Sequence, residues 1–227
     1  MKYTTLLFDV DDTLLDFKAA EKHSISLLLE KMAVPVTEQH IQQYSHMNQS
    51  LWEQFEKGEI EKERLLTKRF EDFFSLHERQ VDGQEMDYLF RKNLEEGYFL
   101  IDGSMDVLQS LQQTHKLYAV TNGVSKTQYK RLTASGLLTF FEDIFVSEDT
   151  GYQKPMLEYF DYVFTRIPSF QAEETLIIGD SLTSDITGGH VAGIDSCWFN
   201  PAKMPNPLSI EPTYEIEKLQ DLLAILV

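Results

Sequence analysis

The sequence predicts an α/β fold: a doubly wound parallel sheet with an all-helical domain inserted after its first strand. Two observations predict the sheet. Short apolar runs alternate with helical stretches, and each run is bounded by polar residues or glycine, as buried parallel strands are. A third observation predicts the insertion, because residues 17–96 show helical periodicity and contain no convincing strand.

The predicted strands are the apolar runs rich in β-branched and aromatic residues, at 4–10, 117–120, 144–146, 176–178 and 196–199. Helical stretches of crossover length lie between them, at 104–113, 126–135, 156–166 and 184–191. Gly136 is placed to end the second of these helices, and Pro155 suits the first turn of the third. This alternation predicts right-handed crossovers and a doubly wound sheet.

The inserted block contains about four stretches with apolar residues at helical spacing, interrupted near Val34, Gly58 and Gly83. A block of this length is too long for a loop, so it must form a domain of its own. We therefore predict a Rossmann-like core made of residues 1–16 and 97–227. Residues 17–96 would form a hinged helical cap.

The composition excludes several classes of function. With 42% apolar residues in 227, the chain can bury a sizeable core. The net charge of −17 argues against a nucleic-acid polymer as partner, because that interface needs clustered lysine and arginine. No apolar run is long enough for a signal peptide or a membrane span. The single cysteine, Cys197, fits a structural thiol in a reducing compartment, so we expect a cytoplasmic protein.

Two carboxylates lie where the first predicted strand ends. Asp9 and Asp11 are two residues apart, so their side chains point to the same side as the strand ends. Two such charges repel each other by about 4 kcal/mol at ~4 Å and an effective dielectric of ~20. A cation or a shared proton must relieve this repulsion, which indicates metal-assisted chemistry.

Polar residues also follow three other predicted strands. Thr121 and Asn122 follow the second, Lys154 comes shortly after the third, and Asp180 follows the fourth, with Asp185 further on. A parallel sheet brings all these strand ends to one edge. The acids would hold a hard cation such as Mg²⁺ through oxygen. The ammonium, the hydroxyl and the backbone amides would bind phosphate.

The four segments, in this order, resemble the motifs of the haloacid-dehalogenase-like (HAD) hydrolase superfamily. They are DVDDT at 9–13, TN at 121–122, the lysine of QKP at 154 and GDSLTSD at 179–185. An inserted helical cap is typical of one large branch of this superfamily. Further segments at 51–60, 147–151 and 185–189 resemble the YjjG/YfnB-type group of pyrimidine nucleoside 5′-monophosphate phosphatases.

This resemblance implies a phosphoric monoester hydrolase that works through an aspartyl phosphate. Asp9 would be the nucleophile, and Asp11 would protonate the leaving alkoxide and then activate water. Mg²⁺ would be held by the Asp9 carboxylate, the Asp11 carbonyl and Asp180. Asp185 would support the site by positioning either a metal-bound water or Lys154. The implied substrate is a small phosphomonoester, a nucleoside 5′-monophosphate with a pyrimidine or modified base. The implied phosphate-binding residues are Thr121, Asn122 and Lys154.

Several alternatives stand beside this hypothesis. A sugar-phosphate phosphatase or phosphomutase of the same superfamily would carry the same core motifs. A dehalogenase is disfavoured, because halide displacement needs no acid at the position of Asp11. A phosphonatase would need a Schiff-base lysine in the cap, and no lysine there is marked as buried. A phosphoacceptor receiver domain combines similar groups, but its acceptor follows a later strand, where this chain has Thr121.

Overall fold

The structure is a computed structural model, and it describes residues 2–226. This part of the chain contains six strands: β1 (Thr5–Phe8), β2 (Lys116–Thr121), β3 (Asp143–Val146), β4 (Thr175–Gly179), β5 (Asp195–Phe199) and β6 (Tyr214–Ile216). They form one parallel sheet in the order β3-β2-β1-β4-β5-β6. The predicted α/β fold with a parallel sheet is confirmed.

The strand order reverses between β1 and β4. The chain places β2 and then β3 on one side of β1, and β4, β5 and β6 on the other. In the register of the sheet, Leu7 of β1 lies beside Tyr118 of β2 and Ile177 of β4. In doubly wound sheets, ligands bind beyond the carboxyl ends of the strands at such a reversal.

The ten α-helices in this part of the chain are α1 (Phe17–Lys31), α2 (Glu38–Glu56), α3 (Lys62–Ser75), α4 (Gly83–Leu94), α5 (Ser104–Leu111), α6 (Ser125–Ser135), α7 (Ser147–Thr150), α8 (Leu157–Phe164), α9 (Thr187–Ala192) and α10 (Leu222–Leu226). Gly136 ends α6 with a φ of 80°, as predicted. The expectation for Pro155 was wrong. The Lys154–Pro155 peptide bond is cis and α8 begins at Leu157, so Pro155 lies in the turn before the helix.

Both faces of the sheet are covered by apolar side chains. Leu6 and Phe8 belong to one cluster and Leu7 to the other, which is the two-residue period of a strand. Cys197 lies fully buried in the first cluster. Burial raises the pKa of the Cys197 thiol to about 12, so the thiol stays protonated and structural, as expected.

The chain divides into two compact units. One takes in the sheet, with residues up to Asp16 and from Leu100 onward, and the other is Phe17–Phe99. The second unit contains α1 to α4, which is the helical insertion that the sequence predicts. Its core is aromatic, with Tyr44 packed against Phe70 and Phe90.

The helical unit also buries a polar network. Asn48 donates to Glu21 at 2.6 Å and accepts a hydrogen bond from Arg69 at 3.1 Å. Arg69 in turn pairs with Asp87 at 2.6 Å. All four side chains are buried, so each charge in the network requires its partner.

Among residues 2–226, no helix is long and apolar enough to cross a membrane.

Candidate active site

Three acidic side chains meet at the strand ends beside the reversal. Asp9 comes directly after β1, and its backbone N–H donates to the Ile178 carbonyl at 2.8 Å, which extends the sheet pairing by one residue. Asp180 comes directly after β4. One carboxylate oxygen from each of Asp9, Asp180 and Asp185 lies within 4.8 Å of the other two. Carboxylates converging in this way are a donor set that suits a divalent cation.

The Lys154 ammonium lies inside this cluster. It donates to Oδ1 of Asp9 at 2.7 Å, to Oδ1 of Asp185 at 2.6 Å and to the Val120 carbonyl at 2.9 Å. An ammonium has three N–H donors, so these three acceptors use its full capacity. Lys154 is only 1% exposed, and the contacts fix the position of its positive charge.

The charges of the cluster shift each other's protonation. Burial raises the pKa of the Asp9 carboxyl to about 8, although the nearby Lys154 ammonium acts against this rise. Burial alone would lower the pKa of Lys154, but the Asp185 and Asp9 carboxylates outweigh it and raise that pKa. When both carboxyls are ionised, two buried carboxylates share one ammonium, so the cluster then has excess negative charge even before Asp180 is counted.

The side chain of Asn122 holds the Lys154 segment in place. Its amide nitrogen donates to the Lys154 carbonyl, and its amide oxygen accepts from the Lys154 N–H, both at 2.9 Å. The side-chain amide thus pairs with the backbone as a neighbouring strand would. The prediction that Asn122 binds phosphate stays a prediction, and it concerns the backbone N–H rather than this side chain.

Thr121 ends β2 with its hydroxyl used as an acceptor. Oγ1 accepts from the Gly123 N–H at 3.1 Å and from Nε2 of Gln128 at 2.9 Å. Both contacts leave the hydroxyl proton to be donated. Thr121 is therefore suited to donate a hydrogen bond to an anion.

The carboxylate of Asp11 has different partners from that of Asp9. Its Oδ1 accepts a hydrogen bond from Nη1 of Arg131, and its Oδ2 accepts from Nε2 of Gln128 at 2.8 Å. The Asp11 carboxylate is thus held by α6, outside the cluster of Asp9, Asp180 and Asp185. Asp12, the next residue, has a φ of 56° and lies in the turn, a conformation that aspartate tolerates.

Gln128 and Arg131 are not among the site residues that the sequence predicts. They are three residues apart in α6, so they share one face of that helix. Both side chains are buried, whereas helical arginines are usually exposed. The spacing of Gln128 and Arg131 was the one feature of the sequence that could have indicated them. Spacing alone does not show that Arg131, rather than Lys126 or Lys130 of the same helix, is the basic residue at the site.

This combination of fold and site defines a class of enzymes. A doubly wound sheet carries buried aspartates and a lysine at its strand ends, and a helical unit is inserted after the first strand. The chain belongs to the haloacid dehalogenase-like hydrolases, because the model of that family matches residues 6–199. The predicted superfamily is confirmed.

Three relatives are similar to the chain over nearly its whole length. YfnB of Bacillus subtilis, which is named as a HAD-hydrolase, is 55% identical over 99% of this chain and 96% of its own. The pyrimidine 5′-nucleotidase PynA of Streptococcus pneumoniae is 40% identical, covering 98% of this chain and 94% of its own. The pyrimidine 5′-nucleotidase YjjG of Escherichia coli is 29% identical, covering 98% and 97%.

The similarity to YfnB extends to the three-dimensional structure. The crystal structure of YfnB bound to magnesium, which reveals interdomain movement, matches with a TM-score of 0.95 and covers 100% of this chain and 99% of YfnB. The fold is therefore shared in full with a protein whose structure contains magnesium.

Proposed function

We propose that this chain is a Mg²⁺-dependent phosphatase that hydrolyses a small phosphomonoester through an aspartyl phosphate on Asp9. The observation that carries the proposal is the buried Asp9 carboxylate bound to Lys154 beside two further aspartates at the strand-order reversal. A nucleophile, a fixed positive charge and a cation site lie within one cluster. Membership of the haloacid dehalogenase-like hydrolases supports this chemistry.

In the first step, a carboxylate oxygen of Asp9 forms a bond to phosphorus while the bond between phosphorus and the alcohol oxygen breaks. The leaving oxygen takes a proton from the Asp11 carboxyl. The side chain of Asp11 is 28% exposed, so it is open to a reacting group on one side. The products of this step are the free alcohol, the Asp11 carboxylate and the phosphorylated Asp9.

In the second step, water hydrolyses the aspartyl phosphate. The Asp11 carboxylate takes a proton from the water as its oxygen attacks phosphorus, and the Asp9 carboxylate leaves. Inorganic phosphate is released, and both aspartates return to their starting states. Two positions therefore suffice for the covalent and proton-transfer chemistry.

The acidic cluster fits Mg²⁺, because its donors are carboxylate oxygens close to one another. Asp9, Asp180 and the backbone carbonyl of Asp11 would hold the ion, while Asp185 supports the site by binding Lys154. When bound, Mg²⁺ supplies positive charge beside the phosphoryl oxygens. Lys154 and the Thr121 hydroxyl add a fixed cation and a hydrogen-bond donor there.

Gly179 offers a test of the cluster, because a side chain there has no room. A Cβ on Gly179 would lie 2.1 Å from Oδ2 of Asp185. We expect Gly179→Ala to displace Asp185 from Lys154 and to lower the free energy of unfolding by about 1–3 kcal/mol. Thermal unfolding with a chelator and with Mg²⁺ should show a smaller Mg²⁺-induced rise in Tm than the wild type.

Gly188→Ala is the matched control. A Cβ on Gly188 would lie 2.6 Å from the ring of Phe160 and 3.6 Å from the Cα of Pro155, and neither residue belongs to the cluster. This variant should lose stability by overpacking and keep the wild-type response to Mg²⁺. An unchanged Mg²⁺ response in Gly179→Ala would contradict the role given to Asp185.

We further propose a pyrimidine nucleoside 5′-monophosphate as the substrate. The support is that PynA and YjjG, both named pyrimidine 5′-nucleotidases, are similar to this chain over nearly its full length. The core motifs act on the phosphoryl group, so they are equally compatible with a sugar phosphate. The leaving group therefore has to be tested directly.

The test is phosphate release across a panel of substrates with Mg²⁺. The panel contains dUMP, UMP and dTMP, the purine monophosphates, and hexose and triose phosphates. We expect kcat/KM for the pyrimidine nucleotides to exceed that for the sugar phosphates by at least about tenfold, which corresponds to 1.4 kcal/mol of differential binding. Faster turnover of a sugar phosphate would replace the nucleotide assignment and leave the phosphatase chemistry standing.

A further inference from the structure

Two residues of α6 hold the Asp11 carboxylate by both of its oxygens. We propose that Arg131 and Gln128 are positioning residues that aim Asp11 at the water that hydrolyses the aspartyl phosphate. This inference rests on the proposed phosphatase function, because it assumes that Asp9 is phosphorylated. It assigns a purpose to two buried polar side chains that the proposed chemistry leaves without one.

The geometry of the contacts suits the carboxylate form of Asp11. The Arg131 guanidinium on Oδ1 and the Gln128 amide nitrogen on Oδ2 both donate hydrogen bonds. A carboxylate has about four lone-pair sites, so two accepted bonds leave capacity for a proton from water. The 28% exposure of the Asp11 side chain gives a water molecule access to that capacity.

The two positioning residues are themselves held firmly. Gln128 is 2% exposed and Arg131 is 1% exposed, and Oε1 of Gln128 accepts from Nη1 of Arg131 at 3.1 Å. Nε2 of Gln128 also donates to Oγ1 of Thr121 at 2.9 Å. The orientation of Asp11 is therefore tied to that of Thr121, which we assign to the phosphoryl group.

The two steps of the reaction should depend differently on these contacts. Asp11 acts as a carboxylate base only in the second step, and that is the form whose two oxygens Arg131 and Gln128 engage. A small misplacement of a reacting group can slow a step by about 100-fold. Loss of either side chain should therefore slow hydrolysis of the aspartyl phosphate more than its formation.

The experiment is stopped-flow release of p-nitrophenol from p-nitrophenyl phosphate with Mg²⁺, using Arg131→Ala and Gln128→Leu. The leaving group is good, so formation of the aspartyl phosphate is fast and needs little help from an acid. We expect a burst of nitrophenol approaching one equivalent of enzyme, and then steady-state turnover about 100-fold below the wild type. The rate of the burst should change by less than about tenfold.

Three controls distinguish positioning from a structural role. Thr127→Val, on the same helix, removes a buried hydroxyl that has no hydrogen-bond partner in residues 2–226 and should behave as the wild type. Added guanidinium ion at sub-denaturing concentration should restore turnover in Arg131→Ala but not in Gln128→Leu. Thermal unfolding checks that each variant is folded. If Arg131→Ala does not fold, Gln128→Leu is the variant that tests the inference.

Equal slowing of the burst and of the steady state would overturn the inference, because a merely structural role lowers both. Absence of rescue by guanidinium in folded Arg131→Ala would also count against it. A wild type without Mg²⁺-dependent phosphatase activity would overturn the proposed function and this inference together. An active wild type with unaltered kinetics in both variants would overturn the inference alone.

Discussion

Asp9→Asn is expected to lower phosphate release by more than about 10,000-fold, because the amide cannot form the aspartyl phosphate. In a chelating buffer the variant should be at least as stable as the wild type. Burial raises the pKa of Asp9 from 3.8 to about 8, so the fold disfavours the charged carboxyl relative to the unfolded chain. A neutral amide avoids that cost.

The pH dependence of stability follows from the sign of this shift. A carboxyl whose pKa is raised by folding contributes to stability fully when the pH is below its pKa in the unfolded chain. That contribution is lost as the pH rises through its pKa in the folded protein. The stability advantage of Asp9→Asn should therefore grow from about pH 4 to about pH 8, the interval between the two pKa values. Thermal unfolding of both proteins across this interval, with chelator present, measures it.

Asp12→Asn is the matched control for the loss of activity. It changes an aspartate three residues along the chain, in a turn with a φ of 56° that asparagine also tolerates. We expect it to keep activity within about threefold of the wild type, which is less than 1 kcal/mol in the barrier. Retention of more than a trace of activity in Asp9→Asn would show that another residue is the nucleophile.

Lys154→Met is expected to destabilise the metal-free protein by about 3–5 kcal/mol, because it leaves Asp9 and Asp185 buried without their ammonium. Activity should be lost as well, since the fixed charge beside the phosphoryl group is gone. Urea unfolding in chelator measures the first effect. Addition of Mg²⁺ should recover part of the lost stability, because a cation again offsets the carboxylates.

Two further variants show whether the charges are the cause. Asp185→Asn in the Lys154→Met background removes one of the two uncompensated charges, so it should recover stability rather than add a second loss. Lys203→Met removes a lysine whose side chain is 70% exposed and pairs with Glu217, and should leave the stability close to that of the wild type. A Lys154→Met protein as stable as the wild type would contradict the description of the cluster.

The strand ends could be predicted from the sequence because the signal there is local. An apolar run such as the one ending at Phe8, followed by Asp9, marks both the strand and the polar group at its end. Parallel pairing then brings distant strand ends together without any knowledge of side-chain contacts. By contrast, β6 was missed because its three residues, Tyr214–Ile216, are too short to show a period.

The contacts of the site could not be predicted, since they depend on side chains that meet only in the folded chain. The sequence left open whether Asp185 would position Lys154 or a metal-bound water, and the structure shows it bound to Lys154 at 2.6 Å. The burial of Arg131 was hidden for the same reason. Pairing across 120 positions, between Arg131 and Asp11, leaves no periodic trace in the sequence.

The central claim is that Asp9 carries the phosphoryl group, and chemical trapping tests it most directly. Enzyme turning over p-nitrophenyl phosphate with Mg²⁺ is quenched in acid and reduced with borohydride, which converts an aspartyl phosphate to homoserine. Peptide mass spectrometry should then find homoserine at position 9, and only when substrate is present. Rapid phosphate release with homoserine at another position, or with an unmodified Asp9, would contradict the account.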